Sequence, residues 1–575
     1  MDDTSIQKDD EQLLQDAVIK YIKAASLMNE GVETEKESKE FYWQWGLAAA
    51  MVARHSGEPC DFHAAISQYR KAQQLGLNED GFFADFGGVL FDCALLTNND
   101  ELVSEAITLY QDSVVIDFAS IDREDVEKCE KMAKRYLNLA KCYQYLLRAT
   151  AEQKYVELAS AYFEQSSQLQ PDTVEVWFEW GSAVYFFAKA SCTALYLYEA
   201  VEKFTRALQL APNQVHVIAG YCEALAQLAI HEDDLEMLQK AQFQISQAIS
   251  ELPHSLQLIV SYSSVHVQLG RYFEDKRYLL LAIHEIEKGL NIEFGNSSLQ
   301  HQLALAKFSL GELTEDTTIL EESLKNFEIT AKSDIGRFGY FWNEWGVTYL
   351  SIAAVTSEKR YLEEARQKFE RSVVLHDYIA PEWLFNYGCT LNFIADSTDD
   401  EVCYEKAIQA LQAALVMSPD YTLIRFHLAV AYAHFADLTE DTELFQEASR
   451  QFTVVLKEDP EEDMAWFEFG LALLQFSQLV TDAHLGDMKQ NLIEQAEHHS
   501  LQALSLGNES ANYNLACLYA LQGNYTGAVH YLDKAFEADT LPPREVLIRD
   551  EWLTNLHDTP YFQSLLHELQ QEEDT

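Results

Sequence analysis

The sequence predicts an all-α fold, a solenoid of about twelve helix–turn–helix repeats with a capping helix at each end. Three observations carry this prediction. A small residue flanked by aromatics recurs at a nearly constant interval. A second small residue follows it at a constant offset. The chain has 575 residues, whereas a single hydrophobic core stops growing at roughly 250–300 residues. A fixed period of a few tens of residues is the mark of stacked supersecondary units.

The first half of each unit is seen in VWFEWGSAVYFFAKA (Val176–Ala190), where two tryptophans precede Gly181. Similar stretches begin at Phe41 (FYWQWGLAAAMVA), Gly81 (GFFADFGGVLFDC), Tyr340 (YFWNEWGVTYLSIA), Glu382 (EWLFNYGCTLNFIA) and Met464 (MAWFEFGLALLQF). Their marks are Gly46, Gly87, Gly181, Gly346, Gly388 and Gly470. Weaker copies have Ala140, Cys222, Ser263, Ala304, Ala429 and Ala516 at the same place. Successive marks are 41 or 42 residues apart, except for steps of 53 (Gly87 to Ala140) and 46 (Gly470 to Ala516). Glycine within a helix costs roughly 1 kcal/mol relative to alanine, so its recurrence implies close packing.

The second half begins 19 residues after the mark, with Ala65, Ala106, Ala159, Ala200, Ala241, Ala282, Ser323, Ala365, Ala407 and Ala448. A large residue stands four further on, for example Tyr69, Tyr110, Phe204 or Phe369, and often a small one seven on, such as Ala72 or Ala207. Offsets of four and seven share one helical face. Pro171, Pro212, Pro253, Pro419 and Pro460 then end the helix, as proline does. Each unit therefore reads as helix A, turn, helix B, stop. Trp177 and Trp180 are expected as knobs, and Gly181 and Ala200 as the holes that receive them.

The irregular stretches fit this frame. Ala17, Tyr21 and Ala24 have helix-B spacing, so Asp10–Asn29 is expected to be a capping helix. SIDREDVEKCEKMAKR reads as a helix A lengthened at its start, and VTDAHLGDMKQN as a long A–B loop. The segment after Asp539, PPREVLIRDEWLTNLHDTPYFQSLLHEL, is expected to cover the last apolar face. The expected division is a tail and capping helix over 1–38, the repeat array over 39–539 and a capping segment over 540–575.

The positions Trp177, Trp180, Gly181, Val184, Ala200, Phe204, Ala207 and Pro212 form a pattern that resembles the tetratricopeptide (TPR) family. The resemblance runs from about Glu40 to Asp539 and implies a right-handed solenoid. One departure is systematic: the family's glycine lies 12 residues before the helix-B alanine, and here the gap is 19, except in the last unit (Ala516 to Ala528). Seven added residues are about two helical turns, so they lengthen the helices without rotating the buried face.

The resemblance also implies a concave face lined by helix A. Three residues before the mark it points to Trp43, Phe178, Asn343, Phe385, Phe426 and Phe467; two before, to Asp85, Glu179, Glu344 and Glu468; four after, to Tyr185. The implied groove is aromatic with an acidic edge, although the same aromatics would serve equally as packing between repeats. The combination of Lys, Asn and Arg with which some members hold an acidic tail is missing from this face, so capture of such a tail is not expected.

Charge points the same way. With 93 acidic and 41 basic residues the formal charge is −52. Such a surface repels phosphate backbones and anionic membranes, so a basic or amphipathic protein or peptide is the expected partner, and neither nucleic acid nor membrane insertion is. The first residues lack a basic segment followed by an apolar one, and no stretch has 18 apolar residues. The nine cysteines lack C-x-x-C spacing and read as buried apolar side chains in the cytoplasm. No H-E-x-x-H, phosphate-binding loop or G-x-S-x-G occurs. His427 and His434 read as structural, and the pairs Asp233-Asp234 and Asp399-Asp400 as solvated turns. No enzyme activity, metal or cofactor is expected. The function expected is a protein-interaction scaffold, with a secretion-type chaperone or assembly factor and a self-assembling structural protein as alternatives.

Overall fold

The computed structural model describes residues 39–114, 118, 121–191, 193–375, 380–480 and 486–573. The capping helix expected at Asp10–Asn29 lies outside these residues, as does 481–485, the first half of the loop expected at VTDAHLGDMKQN; its second half, from Gly486, is helical and not loop. All regular structure among the described residues is helical.

The chain falls into two compact units, one ending at Arg337 and the other beginning at Phe338. In the first, seven helix pairs follow one another: α1 (Lys39–Ser56) with α2 (Pro59–Gln74), α3 (Asp80–Thr97) with α4 (Asp100–Ser113), α5 (Val126–Thr150) with α6 (Gln153–Leu169), α7 (Val174–Ser191) with α8 (Ala194–Leu210), α9 (Val215–His231) with α10 (Leu235–Glu251), α11 (Leu256–Tyr272) with α12 (Lys276–Ile292), and α13 (Ser297–Thr314) with α14 (Thr317–Thr330). The second has five: α15 (Gly339–Thr356) with α16 (Lys359–Val374), α17 (Pro381–Thr398) with α18 (Glu401–Met417), α19 (Thr422–Thr439) with α20 (Thr442–Glu458), α21 (Asp463–Leu479) with α22 (Gly486–Ser505), and α23 (Ala511–Leu521) with α24 (Tyr525–Glu537). Three short helices close it: α25 (Arg544–Arg549), α26 (Thr554–His557) and α27 (Pro560–Glu573). Odd-numbered helices up to α23 are helix A of a repeat and even-numbered ones helix B.

Within each unit, helix A packs on its own helix B, on the preceding helix B and on the neighbouring helix A. The A helices thus form one layer and the B helices the other, with the core between them. Each pair buries a face that only its neighbours cover, as stacked repeats require. The helix-B alanines at the repeat marks, from Ala65 to Ala448, are all fully buried. Leu547, Leu553, Leu556, Phe562 and Leu565 of the closing helices are buried in the core of the last repeats.

The tight interlock is made by the residue four after the helix-B alanine. A Cβ placed on Gly181 would stand 2.9 Å from the ring of Phe204, and one on Gly220 of the next helix A 2.8 Å from the same ring. Phe204 is therefore the knob between two A helices, and the tryptophans take other roles. Trp180 stacks on Phe163 and donates its indole N–H to Ser160 Oγ at 3.0 Å. Trp177 is half-buried and donates to the Pro171 carbonyl at 2.8 Å, tying down the loop before α7.

The seven added residues go mainly into helix A. Helix α7 runs ten residues beyond Gly181, whereas α23, in the one unit of family spacing, runs five beyond Ala516. Helix α8 starts six residues before Ala200, and α24 three before Ala528. Helix α5 is lengthened at its start, as expected, to 25 residues.

Asp233-Asp234 and Asp399-Asp400 lie in the turns between A and B, and all but the half-buried Asp234 are exposed. The turns have a further role: Asp234, Asp316, Asp400, Asp441 and Asn99 each cap a helix B, accepting backbone N–H groups of its first turn. The preceding residue is left-handed at Asp233, Glu315, Asp399 and Glu440, which closes a turn of three residues at the first and of two at the others. Asp441 Oδ1 accepts from the amides of Glu443 and Leu444 at 2.8 and 3.3 Å. Asp441→Ala is expected to cost about 1 kcal/mol, seen as faster amide exchange confined to the start of α20. Unchanged exchange there would deny the cap a role.

Candidate functional site

Among the described residues no group of three or more His, Cys, Asp or Glu side chains is arranged to hold a metal ion, and no helix is long and apolar enough to cross a membrane. What the first unit does offer is a pair of adjoining cavities on its helix-A layer.

The first has a volume of about 660 Å³ and spans α1 to α7. Its floor comes from α3, which contributes Asp85, Gly88 and Asp92, and one wall is a stripe on α5. That stripe is Lys134, Asn138, Lys141, Tyr145 and Arg148, whose alternating steps of four and three keep all five on one helical face.

Four cations and three carboxylates line this cavity, and five of the seven have a hydrogen-bond or ion-pair partner. Arg54 pairs with Asp92 at 2.7 Å. Lys141 pairs with Glu175. Gln144 Nε2 donates to Glu179 Oε2 at 3.1 Å, and Trp43 Nε1 to Asp85 Oδ2 at 3.1 Å. Burial raises the pKa of Asp85 despite the Trp43 bond and the nearby Arg54, Arg135 and Lys134. Lys134 and Arg148 have no ion pair or hydrogen-bonding partner among the described residues. Tyr69, on the same wall, is fully buried, and its hydroxyl has no hydrogen-bond partner. Burial, and then the charge of Asp85, push that phenol far above its ordinary pKa, so it stays protonated.

The second cavity, about 350 Å³, is aromatic: Phe178, Tyr185, Phe186 and Phe204 line it with Val260 and Glu223. Ser261 donates a hydrogen bond to Glu223. Burial raises the Glu223 pKa, against the Ser261 bond and the charge of Lys189. Arg148 stands on the walls of both cavities, so they adjoin.

The residues expected from the sequence divide between the two units. Asp85 and Glu179 line the first cavity, Phe178 and Tyr185 the second, and Trp43 reaches Asp85. The remaining six lie along α15, α17, α19 and α21 and line neither cavity. Asn343 is buried and accepts the Asn386 side-chain amide at 2.9 Å. Glu344 and Phe467 are half-buried. Phe385 stands edge-on to His427, as Phe426 does, and Phe426 also meets the ring of Phe452. Glu468 faces His434 at 3.7 Å.

Sequence reasoning missed Arg54, Tyr69 and the α5 stripe. The expectation that this face lacks the combination of Lys, Asn and Arg is corrected: Lys134 and Arg148 stand six before and eight after Ala140, away from the family's inward positions, while Lys141, one after it, stands on one of them. The i, i+4, i+7, i+11, i+14 spacing of the stripe was itself visible.

No family model matches the chain, and no curated protein does. Solved structures that it resembles include the human IFIT1 dimer with PPP-AAAA (14% identity over 82% of this chain and 91% of that one, TM-score 0.39). Another is the APC/C hetero-tetramer Cut9–Hcn1 (11% identity, 81% and 91% covered, TM-score 0.39). A third is YrrB, a TPR protein with an unusual peptide-binding site (16% identity, 38% and 96% covered, TM-score 0.27). Likenesses at this level bear on neither partner nor activity.

Proposed function

We propose that this chain is a non-enzymatic scaffold that holds an extended protein segment in the helix-A groove of its first unit. The observation that carries the reading is that two cavities adjoin at Arg148 on the same helix layer. Together they offer a polar and an aromatic compartment, of sizes usual for ligand sites, suited to successive side chains of one peptide. Tyr185 and Phe186 are only half-buried on this face, which leaves ring surface for a partner. The acidic total charge favours a basic or amphipathic partner at long range. The groove itself does not, since Asp85 and Glu179 are already hydrogen-bonded and its unengaged charges are cationic. The described cysteines are all unpaired, which supports a cytoplasmic setting.

The test is site-specific crosslinking. A photoreactive residue in place of Tyr185 should crosslink one short segment of a partner protein, and the same residue in place of the outward-facing Phe243, 70% exposed on α10, should not. Ser182→Trp fills the second cavity from its wall and should cut the Tyr185 crosslink about tenfold without altering thermal unfolding. Equal crosslinking from Phe243, or indifference to Ser182→Trp, would sink the reading.

A further inference from the structure

We infer that the first cavity is a receptor for an acidic side chain, Asp or Glu, of the bound peptide, with the Tyr69 hydroxyl, Lys134 and Arg148 as its donors. This rests on the peptide-scaffold reading above and adds which residue the peptide must carry.

Three donors line one cavity without a hydrogen-bond acceptor among the described residues. The Tyr69 hydroxyl is the most telling, because a fully buried and unpaired O–H forfeits its hydrogen bonds to water. The other two are Lys134 and Arg148, neither in an ion pair or hydrogen bond among the described residues, although the charge of Lys134 is felt at Asp85. A carboxylate is the complement of such a set, since it accepts only and has about four lone-pair sites. Bonds to it from charged donors are roughly twice as strong as neutral ones.

The remaining lining fixes the class of ligand. Four cations and three carboxylates leave the cavity one positive charge in excess, enough for one carboxylate and unsuited to a run of phosphates. Asp85, Asp92 and Glu179 stand where a nucleic-acid backbone would meet them, and the protein's −52 charge opposes that approach. A cationic side chain would meet Lys134 and Arg148 instead. The cavity's volume also exceeds what a lone terminal carboxylate needs, and the aromatic cavity on the other side of Arg148 would take a neighbouring apolar side chain. Gly88 helps keep the space clear: a Cβ there would stand 3.2 Å from the Tyr110 hydroxyl and 3.6 Å from Arg54 Nη2.

The experiment uses the full chain and fluorescent peptides acetylated at one end and amidated at the other, so that the only carboxylate is internal. Each carries one Glu and one Phe at varied separation on a Gly-Ser background, with matched peptides bearing Gln or Lys for Glu, and a single-stranded oligouridine as the nucleic-acid probe. At least one Glu peptide should bind about tenfold tighter than its Gln partner, and addition of salt should narrow that gap. Tyr69→Phe, which keeps the ring and removes only the donor, should weaken Glu-peptide binding about fivefold and leave Gln-peptide binding alone. Arg148→Ala, at an exposed position, should weaken it about tenfold with an unchanged melting curve, and it decides the matter even if Tyr69→Phe proves unstable. Equal affinity for Glu and Gln peptides would overturn the acid receptor while leaving the scaffold standing. Failure of every Glu peptide to bind, tighter binding of the Lys peptide, or tighter binding of the oligouridine would overturn it too.

Discussion

Replacing Phe369 with alanine is expected to destabilise the eighth helix pair by about 3–5 kcal/mol, the largest loss from any single substitution considered. The ring is fully buried. It fills the hole at Gly346 so tightly that a Cβ there would lie 2.6 Å from Cε1. Because both sides of that contact are rigid, α15 and α16 cannot collapse into the vacated space without giving up the packing around Trp345 and Trp342, whose rings already stack 5.2 Å apart. The loss should stay local, since each pair depends on its neighbours and not on distant ones. The readout is therefore amide exchange and not a single melting temperature. Amides of α15, α16 and α17 should exchange about a hundred- to a thousandfold faster, while those of α23 and α24 keep their protection. A uniform rise throughout the second unit would mean that it unfolds as one body, and no change would mean that the hole closes by itself.

A second large effect is expected at His434, on α19. Its Nδ1 lies 2.8 Å from Asp396 Oδ1 on α17 and its Nε2 3.7 Å from Glu468 Oε2 on α21. The imidazolium thus ties three successive A helices. Burial works to lower its pKa, but the hydrogen bonds and charges of Asp396 and Glu468 outweigh burial and raise it to about 10. Tyr404 also donates to Asp396, at 2.6 Å, and Gln475 to Asp437 at 2.9 Å, so the surrounding acids are fixed in place.

The sign follows from linkage. The folded pKa lies above the unfolded value of about 6.5, so the contribution is complete below about pH 6.5 and is withdrawn as pH rises through about 10. His434→Gln removes the cation and leaves the acids facing one another. Breaking a buried pair costs about 3–5 kcal/mol, and the partial exposure of this cluster reduces the expected cost to about 1–3 kcal/mol. Wild-type protection of α17, α19 and α21, corrected for intrinsic exchange, should fall between about pH 7 and about pH 10. The variant should start lower and lose less. A histidine resonance missing from the variant and titrating near its ordinary value would contradict the assignment. His427, about two turns nearer the start of the same helix, behaves oppositely: burial lowers its pKa to about 4, so it stays neutral.

These two histidines show where reading a sequence stops. Both looked structural, and the spacing of seven was plain, but the acids that charge one of them come from helices 38 and 34 residues away. The same holds for the groove. Tyr69 is legible as a core residue of helix B, four after its alanine. That its hydroxyl ends on a cavity wall without an acceptor depends on how α1, α3 and α5 stand around it.

The sequence alone determined the helix pairs, their number, their small and large packing positions and the lengthening of each repeat. These are properties of periodicity, and a helix imposes its period locally. Only the tertiary structure decided that Phe204, and not Trp177 or Trp180, is the knob. It also decided that the aspartates of the turns are caps and that the helix-A face of the first unit carries unengaged cations in a protein of −52 charge. The physical reason is that a charge or hydrogen bond is settled by whatever lies within a few ångströms, and in a stacked array those neighbours come from the next repeat, about forty residues along the chain.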